Sequence, residues 1–184
     1  MSINKFVSLF VFSCLFYSAA SYAAECNIYL SRPVVDYQNI SSTDFSASYK
    51  KWNALDTREV QVSTQCSEPV QIENVLSGFG TGKVFPMGQH SAVEIIASDA
   101  YLDGQPVSLG KDSSQGAFTL AHGSRQRVLI LAGNSIVPVI NGEIPTGQQL
   151  VYRLTIKPLI NDADLHPKDQ NQIESNISTS VVFQ

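Results

Sequence analysis

Basic charge is scarce in this 184-residue chain: 12 Lys and Arg stand against 16 Asp and Glu, for a formal net charge of −4. No basic surface is available to hold nucleic acid. Charge of either sign is thin, at 15% of residues, against roughly 25% in ordinary soluble domains. The chain also lacks any convincing ten-residue stripe with a 3.6-residue apolar period, which argues against a helical protein. Beyond its first two dozen residues it has no apolar run of the roughly 18 residues that would suggest a membrane helix. Histidine is limited to His90, His122 and His166, each isolated in sequence, so a histidine-rich metal centre has no basis. Cysteine is limited to Cys14, Cys26 and Cys66. What remains is a hydrophobic fraction of 43%, 8 prolines and 11 glycines, the composition of a globular chain with many turns.

The N-terminus reads as an export signal. Lys5 supplies one positive charge, Phe6 to Phe16 is apolar except for Ser8 and Ser13, and small residues follow from Ser18 to Ala24. The expectation is a signal peptide over residues 1–23, cut between Ala23 and Ala24, with Ser21 and Ala23 where a signal peptidase reads. The apolar run is too short for a membrane anchor. A lipoprotein signal at Cys14 would place Phe12 where a small residue is usual. Cleavage removes Lys5 and no acid, so the charge goes from −4 to −5. It also removes Cys14. Cys26 and Cys66 then remain in an oxidising compartment, where the expectation is one disulfide rather than a metal site.

The remaining residues, 24–184, read as one all-β domain. Val60, Val62, Thr64 and Cys66 alternate with polar neighbours, as do Leu150, Tyr152, Leu154 and Ile156. Shorter strand signals lie at 26–30, 70–76, 92–97, 117–120, 128–131 and 136–140, and a last one runs from Ile173 to Phe183. Many short strands separated by turn residues suggest a β-sandwich. Catalytic signatures are weak throughout. Ser63 and Ser67 lack a nucleophile-elbow context. Asp162 and Asp164 read as solvated loop carboxylates, and 78–82 as a turn rather than a phosphate loop. Phe45, Tyr49 and Trp52 offer a sugar-stacking platform on one reading and a loop folded over the core on the other. The chain is not expected to be an enzyme or to need a cofactor or metal.

Several motifs together resemble subunits of bacterial chaperone–usher pili. Cys26 is followed by Pro33-Val-Val-Asp-Tyr37, with Gln38 where the family pattern has glycine. Cys66 closes an alternating strand 40 residues on. Pro145-Thr-Gly147 leads into the strand 150–156, and the chain ends Ile177-Ser-Thr-Ser-Val-Val-Phe-Gln184. The family's glycine about a dozen residues from the end is absent, and 171–176 stands there instead.

The resemblance implies an immunoglobulin-like β-sandwich lacking its final strand. It implies a groove beside Ile177, Thr179, Val181 and Phe183, with Gln184 offering its carboxylate to a chaperone. Implied partners are a periplasmic pilus chaperone, an outer-membrane usher, other pilus subunits and a host or surface receptor. The implied route runs through the periplasm to a fimbrium at the cell surface. Only Ala24 and Glu25 precede Cys26, too few for a donor extension, which favours a tip position. The alternative is a free periplasmic or secreted β-sandwich binding module, whose sheet would need no outside strand beside 177–183.

Overall fold

The computed structural model describes residues 24–79, 83–112, 123–165 and 173–183. The expected strand at 117–120 lies outside them, as do Ala23 and Gln184. The chain is all-β, as its alternation indicates. The strands are β1 (Cys26–Leu30), β2 (Phe45–Tyr49), β3 (Trp52–Leu55), β4 (Arg58–Ser77), β5 (Phe85–Met87) and β6 (Ser91–Leu102). They continue with β7 (Gln105–Asp112), β8 (Arg127–Ile130), β9 (Ser135–Val139), β10 (Thr146–Asn161) and β11 (Ser178–Phe183). The one α-helix among the described residues, α1 (Asp162–Leu165), is a single turn. No helix there is long and apolar enough to cross a membrane.

The alternating segment 58–66 and the apolar segment 70–76 are one strand, not two. β4 runs unbroken for 20 residues through Pro69. Proline has no N–H for a ladder, and here it costs none. β10 pairs with Gln65 and again with Val70, shifting register between Gly147 and Gln149, so Pro69 falls in the gap between the two ladders. That bulge requires glycine at 147, because a Cβ there would stand 2.6 Å from the side chain of buried Leu102. The Asp103 carboxylate caps the same bulge, accepting hydrogen bonds from the amides of Gln148 and Gln149 at 3.0 and 2.8 Å. Asp103-Gly104 joins β6 to β7 with φ of 49° and 78°, the left-handed pair that a tight primed hairpin demands.

β4 is long enough to serve two layers. Its first half pairs with β10, its second half pairs with β9, and both pairings use antiparallel ladders. Since β9 pairs with β7, β7 with β6, and β6 with β10, the ring β4–β9–β7–β6–β10 closes on itself. Closure removes the edges of these five strands at their paired segments.

Inside the ring the alternating residues meet as the sequence indicates. Val60, Val62, Thr64, Cys66, Leu150, Tyr152 and Leu154 are all buried. One polar network sits among them: Asn74 donates to Thr64 Oγ1 at 2.7 Å and to the Tyr152 hydroxyl at 3.1 Å. All three residues are completely buried, and burial pushes the Tyr152 phenol far above its ordinary range.

Candidate functional site

The first and last described strands share one edge of β4. Along it, β1 pairs from Cys26 opposite Cys66 to Leu30 opposite Val62. On the same edge β11 pairs from Ser178 opposite Ser77 to Phe183 opposite Ile72. Both are antiparallel to β4, so they run the same way, and the end of β11 points at the start of β1. Residues 67–71 of β4 separate the two ladders. The Cys26–Cys66 disulfide expected from the sequence is formed at this junction. Beside it, Ser67 donates its amide to the Glu25 carbonyl at 2.9 Å, and Glu25 donates its amide to Ser67 Oγ at 3.0 Å.

The side chains of this edge are incompletely covered. Thr179, Val181 and Phe183 lie opposite buried Leu76, Asn74 and Ile72, so they share the inner face of the sheet. All three are only half-buried, as are Ile173 and Ile177 before them and Cys26 and Ile28 on β1. Ser178, Ser180 and Val182 alternate with them and are exposed. Among the described residues no strand pairs with the outer side of β11 or of β1. The Thr179 hydroxyl oxygen is buried and has no hydrogen-bond partner there. Upstream, the Gly88 amide donates to the Glu174 carbonyl at 3.1 Å. A cleft of about 430 Å³ opens beside this contact, lined by Phe79, Pro86, Gly88, Glu174, Ser175 and Asn176. Phe79 projects into solvent with 81% of its surface exposed.

The Pro33-Val-Val-Asp-Tyr37 segment is not a strand. It crosses the sheet as an irregular segment held by half-buried Val35 and Tyr37. Tyr37 donates its hydroxyl to the Ile156 carbonyl at 3.4 Å, and the Arg58 guanidinium lies 5.5 Å from its ring centre. Burial pushes its phenol up to about 12, with Arg58 pulling the other way.

The three aromatics of the candidate sugar platform do not meet on one face. A register shift between Phe45 and Ala47 turns Phe45 to the side of Leu55 and leaves Tyr49 opposite Trp52. Phe45 packs against the core, while Tyr49 is 71% exposed at the tip of the β2–β3 hairpin with Lys50 over its ring.

Asp162 and Asp164 do not act as a pair. Asp162 accepts from Asn53 at 2.7 Å. Asp164 accepts from Ser91 Oγ at 2.6 Å and from the His90 amide at 3.0 Å, and its other oxygen lies 3.0 Å from His90 Nδ1. Burial pushes the Asp164 carboxyl up, but hydrogen bonds from Ser91 and His90 outweigh it and the net shift is downward. Ser91 donates to the carboxylate and not to the imidazole, so these groups do not form a nucleophile–base pair. No cluster of three potential metal ligands exists among the described residues.

Alternation revealed which face of the last strand turns inward. It did not reveal that β11 and β1 share one strand of scaffold, because that depends on β4 continuing through Pro69. No family model matches the chain, and no curated protein or solved structure is detectably similar to it.

Proposed function

We propose that this protein is a structural or adhesive subunit of a chaperone–usher pilus, exported after removal of residues 1–23. It accepts a strand from a periplasmic chaperone and later from a neighbouring subunit. In this reading the domain is a variant immunoglobulin-like sandwich short of one strand, and β4, pairing with β9 in one half and β10 in the other, belongs to both of its layers. One observation carries the proposal: the half-buried inner row Ile177, Thr179, Val181 and Phe183 beside an edge of β11 that no described strand occupies. An apolar row on an open edge is a template for strand addition. The disulfide that fastens β1 to β4 supports the same reading.

One feature favours the alternative of a free periplasmic or secreted binding module. The five-strand ring closes without help, and such a ring is a complete fold. Periplasmic co-expression with a pilus chaperone separates the two. Phe183→Ser removes the largest inward side chain of β11, worth roughly 1.5–3 kcal/mol against a partner strand. A pilus subunit then fails to recover its chaperone complex and is degraded. Wild-type protein that accumulates without a chaperone, or unchanged capture of Phe183→Ser, refutes the pilus reading.

A further inference from the structure

A second surface, on the opposite face of the sheet, combines features that the strand-acceptor reading does not use. Tyr29 lies directly opposite Ser63, Ser63 opposite Val151, and Val151 opposite Tyr101. Directly opposed residues share a face. The neighbours of Ser63, Val151 and Tyr101 in sequence (Val62, Thr64, Leu150, Tyr152, Ala100 and Leu102) are buried, so this row points outward. It crosses β1, β4, β10 and β6, and strand spacing puts its two tyrosines roughly 14 Å apart along the sheet. Both rings are available, with Tyr29 61% and Tyr101 45% exposed.

The adjacent row is made of amides. Asn27 lies opposite Gln65 and Gln65 opposite Gln149, and all three are exposed. Among the described residues, the Asn27 and Gln149 side chains make no hydrogen bond. Gln65 makes only a 3.4 Å contact to its neighbouring carbonyl. Neither row contains Asp, Glu, Lys or Arg. Arg153, two residues beyond Val151 on β10, is already matched by Glu59 at 3.3 Å and Asp99 at 3.6 Å.

We propose that this face binds a neutral polysaccharide lying across the strands, with Tyr29 and Tyr101 as its two stacking rings. The charge match decides the class of ligand. An ionic ligand finds no counter-charge in either row, whereas an uncharged one needs none. A protein partner would need about 800 Å² per side around an apolar centre, and the only aliphatic residue in the two rows is half-buried Val151. A sugar chain suits both rows: its C–H faces stack on the rings and its hydroxyls take up the amide donors and acceptors. The site does not depend on the pilus reading, because it lies on the outer face of the sheet and uses no residue of β11.

The test is affinity electrophoresis of the purified exported protein through gels containing laminarin, galactomannan, hydroxyethylcellulose or soluble starch, with heparin as the charged probe. Retardation by at least one neutral polysaccharide and not by heparin is expected. Tyr29→Ala and Tyr101→Ala should each raise the apparent Kd by roughly tenfold, the loss of one anchoring ring. Both side chains are exposed, so circular dichroism should show the variants folded. Tyr49→Ala, at the hairpin tip, should leave retardation unchanged. Migration unaffected by every neutral polysaccharide overturns the proposal. So does retardation that survives both row substitutions, or that is lost with Tyr49→Ala instead.

Discussion

Thr179→Val should stabilise this protein, although it deletes a polar group from a strand at the chain's end. The Thr179 hydroxyl oxygen exposes less than 1 Å² and has no partner among the described residues. It sits opposite Leu76, which is 1% exposed, so it is buried against hydrocarbon. A buried polar group without a partner costs about 1–3 kcal/mol, and valine replaces that hydroxyl with a methyl of similar shape. Both residues are β-branched, so strand propensity does not confound the comparison. For a domain of this size, 1–3 kcal/mol corresponds to a rise in Tm of roughly 2–12 °C. Thr179→Ser supplies the opposite control: it keeps the hydroxyl, loses a methyl, and should cost about 0.8 kcal/mol. Urea denaturation with an unchanged slope gives the global difference. Because an edge strand opens before the whole domain does, hydrogen exchange at the amides of 178–183 reads the local one. A valine variant at or below wild type in both measurements would refute the reasoning.

Three further outcomes follow from the geometry. Cys66→Ser opens a loop spanning 40 residues and should cost about 4 kcal/mol on the chain-entropy model, checked by urea titration against wild type with its disulfide intact. Tyr152→Phe leaves one buried Asn74 N–H without an acceptor and should cost about 1–3 kcal/mol by the same titration. Asp164 has a carboxyl pKa held below its ordinary value, so its contribution is present above the ordinary carboxylate range. It is lost as pH falls through the lowered folded value. Asp164→Asn should therefore lower Tm at pH 7 and remove part of the loss that wild type shows as pH falls below the ordinary carboxylate range.

The parts of this fold legible in the sequence are those set by period-2 alternation. Val60, Val62, Thr64 and Cys66, and Leu150, Tyr152 and Leu154, are buried because one face of each strand meets the interior. The disulfide was legible because the expected removal of residues 1–23 leaves two cysteines. What alternation does not encode is where a register slips. The shift at Phe45 splits the aromatic trio, and the gap opposite Pro69 lets two apparent strands be one. Ring closure was equally hidden, because β4 meets β9 through Asn74 and Val75, some 60 residues away from their partners in sequence. The contact between His90 and Asp164 spans 74 residues, and no local pattern announces it.

The shared edge of β4 also makes the domain mechanically asymmetric. A pull at Ala24 meets the disulfide two residues later, so the load passes into β4 through a covalent bond before the ladder of β1 is strained. A pull at Phe183 meets no such bond. It opens the β11 ladder one pair at a time, from Ile72 back toward Ser77, as a zipper opens. Under tension β1 therefore behaves as a fixed anchor, and β11 as the element that yields first.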